Sequence, residues 1–204
     1  MKRYFVECLG TFFLVFAICL TGQPLAIGLM FSAMIYMGYH LAGGCYNPAI
    51  TVALWIRGQL NLTRTIFYIL AQYIGAFAAA ATFNVLSNNS YIPTPLQHIQ
   101  LWEAISMEAL LTFVLCSVAL VMLTSDHLRG NHVYGLVIGL TLTALIFAGT
   151  EISGGAFNPA VGVGPILYDT IRGGTSLKHL MVYIPGPFLG GIFAALVYKF
   201  TNSK

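Results

Sequence analysis

The stretch Gly43-Gly44-Cys45-Tyr46-Asn47-Pro48-Ala49 returns, nearly intact, as Gly154-Gly155-Ala156-Phe157-Asn158-Pro159-Ala160. Each copy is a glycine pair, a small residue, an aromatic ring and then Asn-Pro-Ala. Asparagine is a strong helix N-cap and proline is favoured at the first helical position, so each Asn-Pro opens a helix. The apolar runs that follow, Ala49 to Ile56 and Ala160 to Tyr168, are short. A bilayer crossing takes about 20 apolar residues, so each run reaches about halfway. The glycines ahead of each asparagine suit a left-handed or extended backbone that approaches another group closely. Two half-helices entered by stretched peptide are a way to build a polar path inside a membrane. Irregular backbone survives at that depth only when buried in protein or lining a water-filled cavity.

The composition agrees with a membrane setting. The 204 residues are 58% hydrophobic and 7% charged, whereas a soluble domain carries about 25% charge. The net charge of +3 comes from loop lysines and arginines and is no nucleic-acid patch. Cys8, Cys19, Cys45 and Cys116 stand in apolar surroundings without paired spacing. They read as reduced packing residues, not disulfides or metal ligands. The first apolar segment holds Glu7 and lacks a small-residue cleavage site, so it reads as a retained span and not a signal peptide. With no Ser/His/Asp, metal-ligand or nucleotide motif, neither an enzyme nor a cofactor or metal site is expected.

Spans are predicted over 4–22, 24–42, 65–86, 101–124, 133–150 and 180–200. The pattern Glu7-x-x-x-Thr11-Phe12-x-Leu14 returns as Glu108-x-x-x-Thr112-Phe113-x-Leu115. The order span, span, half-helix, span therefore occurs twice, dividing a single domain into repeats of approximately 1–95 and 96–204. An odd number of spans per repeat sets the halves in opposite orientations, so the half-helix N-termini meet near the midplane. Lys2, Arg3, Arg57, Arg64, Arg129, Lys199 and Lys204 fall on the side of the termini, and Arg172 and Lys178 on the other. That bias predicts cytoplasmic termini in a plasma or bacterial inner membrane.

The paired boxes with their matched flanks resemble the aquaporin, or major intrinsic protein, family of channels, and the resemblance runs over almost the whole chain. It implies an all-α membrane protein with six transmembrane helices and two re-entrant half-helices in an inverted repeat. It also implies a homotetramer in the lipid bilayer with one pore per subunit. Water and small neutral solutes are the implied permeants. The family pattern has a glutamate at the places of Glu7 and Glu108, tying the loop backbone to the helices, and a match at His40. His40 either lines the inner vestibule or fills a helix interface. Carbonyls of Gly43, Gly44, Cys45 and Tyr46, and of Gly154, Gly155, Ala156 and Phe157, would form a ladder of acceptors. If the side-chain oxygens of Asn47 and Asn158 cap their own half-helices, both amide NH₂ groups are left as donors in the pore. The two helix N-termini add a positive field that repels protons and cations and tolerates neutral molecules.

One departure stands out. Family members usually place an arginine after the second Asn-Pro-Ala, where this chain has Val161. The other filter positions, carried over by spacing, are Ile27, Ile146 and Gly155. Such a ring is apolar, has no charged donor, and is expected to be wider than a filter closed by arginine. It fits neither the water-specific nor the glycerol-type pattern. The leading expectation is a passive channel for water, glycerol, urea, ammonia or metalloid hydroxides. The rivals are a water-selective channel, a secondary transporter coupled through Glu7 and Glu108, and a closed structural protein whose apolar ring stays dewetted. Small-residue faces at Gly75-Ala76, Ala78 to Ala81 and Gly190-Gly191 are expected to pack tightly.

Overall fold

The computed structural model describes residues 1–128 and 130–202, so Arg129 and Lys204, two of the cations that set the expected orientation, lie outside the described residues. Among those described, six helices are long and apolar enough to cross a membrane. Helix α1 (Lys2–Thr21) and α2 (Pro24–Ala42) lead into the half-helix α3 (Pro48–Ile56) and then α4 (Leu62–Ser87). The second round is α5 (Leu101–Thr124), α6 (Tyr134–Ser153) and the half-helix α7 (Pro159–Ile171). It closes with a span running from Ser176 to Thr201.

That last span, expected over 180–200, is interrupted. It is a 3₁₀ turn (Ser176–His179), a short α8 (Leu180–Tyr183) and α9 (Pro185–Thr201). Pro185 and Pro187 have no N–H to give back to the preceding turn, which is why the helix breaks there. Half-helix α7 is also longer than expected, continuing past Tyr168 and through Pro165 to Ile171.

The packing repeats as the sequence does. Helix α1 lies on α4 and α2, and α5 lies on α9 and α6. Each half-helix, however, is seated on the other repeat's last span: α3 on α9, and α7 on α4. The halves are interlocked rather than juxtaposed. Glycine allows the closest approaches in matched places. A Cβ on Gly75 would strike the Cys8 carbonyl, and one on Gly190 the Ala109 carbonyl. Parts of the small-residue faces singled out above are thus used within the chain. Helices α2 and α6 cross where Gly28 and Gly139 face each other, so that a Cβ on either would strike the other's carbonyl.

Adding a methyl group at that crossing should force α2 and α6 apart. Overpacking of this kind costs ~1–3 kcal/mol. Gly139→Ala should therefore lower the thermal midpoint and folded yield of the detergent-purified protein. An unaltered melting curve would mean the crossing is looser than described.

Candidate pore and its constriction

Helix α2 ends on Gly43 at φ 93, whose N–H reaches the Tyr39 carbonyl at 2.9 Å. Helix α6 ends on Gly154 at φ 89, bonded to the Thr150 carbonyl at 3.0 Å. The chain then passes through Gly44 and Gly155 (φ 66 and 70) and brings Tyr46 and Phe157 to φ 46 each. A bulky residue in the left-handed region is strained and persists only where its surroundings over-determine it. Here the buried glutamates do so. Glu7 Oε1 accepts the Cys45 N–H at 3.0 Å and Oε2 the Tyr46 N–H at 2.8 Å. Glu108 Oε1 accepts the Ala156 N–H at 3.0 Å and Oε2 the Phe157 N–H at 2.7 Å. Both glutamates are 0% exposed.

The asparagines complete the arrangement. Asn47 Oδ1 accepts the Ala49 N–H at 2.8 Å and Asn158 Oδ1 the Ala160 N–H at 2.9 Å, so each caps its half-helix. Their amides do not wholly face the pore, as the sequence suggested. Asn47 Nδ2 donates to the Phe157 carbonyl at 2.9 Å, and Asn158 Nδ2 donates to the Tyr46 carbonyl at 3.0 Å. Each box grips the strained residue of the other box. An amide nitrogen carries two N–H groups, so one on each asparagine is not used by these bonds.

The two clamps differ in their further partners, none of which the sequence reading singled out. Gln72 Nε2 on α4 donates to Glu7 Oε2 at 2.8 Å and to Thr51 Oγ1 at 2.9 Å. In the second half Ser153 Oγ donates to Glu108 Oε1 at 2.7 Å. Two tyrosines do equivalent work: Tyr68 donates its hydroxyl to the Ala42 carbonyl at 2.7 Å, and Tyr183 to the Ser153 carbonyl at 2.6 Å. Ala42 and Ser153 occupy the same place before their glycine pairs, which was the available signal.

Ile27, Ile146, Gly155 and Val161 come together from three helices and a loop around one internal cavity, with Asn47, Asn158 and Ala156 also on its wall. Leu14, Phe31, Leu115 and Leu142 fill the remaining sides, and none of the lining side chains is charged. The space is small, about 10 Å³, roughly what a single water requires. Most of its wall is aliphatic, from Leu14, Ile18, Ile27, Leu115, Leu142, Ile146 and Val161, and next to it Gly155 packs against Thr150, whose Oγ1 a Cβ there would strike.

Toward the terminal side, a wider cavity of about 460 Å³ is bordered by Arg3, His40, Arg64, Gly43 and Cys45. The glycine stretches are divided in their placement. Gly155 and Ala156 border the inner space, Gly43 and Cys45 the mouth, and the Tyr46 and Phe157 carbonyls accept from asparagine. Gly44 lies against Ile35, and Gly154 against Tyr183 and Thr94.

Six spans with two capped half-helices meeting end to end beside a small internal cavity are the architecture of a membrane channel. A family model described as Major intrinsic protein matches residues 1–198. The chain is 37% identical over 220 aligned positions to Glycerol uptake facilitator protein-like 6 of Lactiplantibacillus plantarum, covering 100% of both chains. It is 31% identical to Aquaporin AqpM of Methanothermobacter thermautotrophicus, covering 100% of this chain and 98% of that one. The solved aquaglyceroporin from Plasmodium falciparum shares the fold, with a TM-score of 0.83 at 23% identity over 97% of this chain and 94% of that one. The chain belongs to the major intrinsic protein family, a family of channels for water and small solutes, and is a multi-pass membrane protein and not an enzyme.

Truncating a clamp leaves buried loop N–H groups unpaired, each at ~1–3 kcal/mol. Glu108→Ala should lower the thermal midpoint and folded yield, while the fraction that folds still conducts downhill. A normally stable variant that loses only pH-driven uptake would instead assign Glu108 to proton coupling.

Proposed function

We propose that this protein is a passive channel for water and for small uncharged solutes such as glycerol, urea, ammonia or metalloid hydroxides. The observation that carries the reading is the constriction of Ile27, Ile146, Gly155 and Val161, where no lining side chain is charged. A guanidinium at such a point would offer five donors and narrow the passage; a valine offers neither. A neutral solute there sheds little hydrogen bonding to side chains and regains it at Asn47 and Asn158. The relative with 37% identity, named a glycerol uptake facilitator protein-like 6, supports the broader class. The cavity's small size favours a second reading, a water-selective channel. Larger permeants would require the aliphatic side chains to turn aside.

Exclusion of cations and protons belongs to the same proposal. Both half-helix N-termini converge where Asn47 and Asn158 meet, and a helix N-terminus carries roughly half a positive charge. Cytoplasmic termini are also proposed, from Lys2, Arg3, Arg57, Arg64 and Lys199 on the terminal side against Arg172 and Lys178 on the other. A homotetramer with one pore per subunit is proposed from the family resemblance alone.

Stopped-flow osmotic experiments on proteoliposomes at matched protein density test the solute range. Val161→Arg should slow glycerol and urea re-entry more than water efflux, raising the water-to-solute ratio. Wild-type vesicles that exclude both solutes would favour the water-selective reading, and an unchanged ratio would remove Val161 from the filter.

Asn158→Asp should still cap α7, but it replaces the amide donor with an acceptor facing the Tyr46 carbonyl and adds a negative charge. New cation or proton conductance, together with a lower melting temperature, is the expected outcome. An unchanged ion leak with normal neutral flux would argue against charge exclusion at this point.

A further inference from the structure

Leu142, Ile146 and Thr150 recur at intervals of four along α6 and so share one face of it. The first two border the constriction. Thr150 lies one turn beyond them, on the side away from the termini, and it is exposed. Its hydroxyl rests against Gly155: a Cβ at Gly155 would strike Thr150 Oγ1, so only glycine lets the hydroxyl occupy that spot. The direction of its proton is also settled, because Oγ1 donates to the Ile146 carbonyl at 2.7 Å. With that proton committed, the oxygen can meet a further group only as an acceptor.

From this placement we propose that Thr150 is a specificity-determining residue, a hydrogen-bond acceptor on the outer rim of the constriction that takes an O–H or N–H of the arriving solute. This rests on the channel reading and deepens it. A rim that lacks a charged donor and carries a hydroxyl with its proton already committed favours permeants rich in donors, such as urea and polyols. The same acceptor meets water as it enters, but water has many ways to orient and depends on it less. Ile27, Ile146 and Val161, just inside, supply no polar side chain, so the rim contact is the last side-chain hydrogen bond before the asparagines.

The test compares Thr150→Val, which exchanges the hydroxyl for a methyl of nearly the same shape, with Thr150→Ser, which keeps the hydroxyl, and with Thr150→Ala as a second hydroxyl-free variant. Water, urea and glycerol permeabilities are measured by stopped flow in proteoliposomes at equal density. Losing one hydrogen bond at the rim should lower urea and glycerol permeability by about threefold to tenfold in the Val and Ala variants, with Ser close to wild type. Water should fall less. Solute flux in both hydroxyl-free variants equal to or above wild type would overturn the proposal. A serine variant as slow as the valine one would do the same, since shape and not the hydroxyl would then matter. If wild-type vesicles pass water but neither solute, the broad-solute reading fails by itself. Thr150 is then judged on water: a fall in Val and Ala restored in Ser supports the rim acceptor, and equal water flux in all four proteins overturns it.

Discussion

Backbone polar groups in a membrane interior must find partners within the protein, and that constraint governs this structure more than any other. A continuous helix meets it automatically; the two glycine-aromatic-Asn-Pro loops do not. The answer is a double grip on each loop. Glu7 and Glu108 take the loop N–H groups, and Asn47 and Asn158 cap their own half-helices while holding the carbonyl of Tyr46 or Phe157 in the opposite loop. Strain at Tyr46 and Phe157 is tolerable because both ends of each residue are held. A carboxylate that accepts several hydrogen bonds is a more economical solution in hydrocarbon than leaving each N–H to find its own side chain.

The crossed grip has a consequence for assembly of the chain. Asn47 holds the second box, Asn158 the first, and each half-helix rests on the last span of the other repeat. Neither repeat can complete its own loop. The pore thus exists only when both halves are in place, although each half looks self-sufficient in sequence. The matched glycines serve the same end by letting backbone meet backbone, at Gly28 with Gly139, and at Gly75 and Gly190 with the carbonyls of Cys8 and Ala109.

Polar and apolar chemistry are kept apart along the passage. The mouth on the terminal side carries Arg3, His40 and Arg64, the midpoint carries the two asparagines, and between the midpoint and the far side stands a ring of aliphatic side chains. Side-chain hydrogen bonding is thus concentrated at separate stations. Burial of an unpaired charge at that ring would cost far more than burial of an amide or hydroxyl.

The sequence by itself determined the parts whose signals are local. Asn-Pro starts a helix, glycine ends one, apolar length separates a full span from half of one, and a duplicated box implies duplicated topology; all of these were legible from neighbours in the chain. The last span was also legible, and Pro185 and Pro187 mark the break within it. Other features depend on residues far apart in sequence. That Gln72 braces Glu7, that an amide of one box is spent on a carbonyl of the other, and that Thr150 fills the room beside Gly155 are facts of convergence. The width of the constriction belongs with them. Ile27, Ile146 and Val161 could be named from spacing, but how closely they meet is set by the helices that carry them, through glycine contacts and clamps whose geometry no single stretch of the chain encodes.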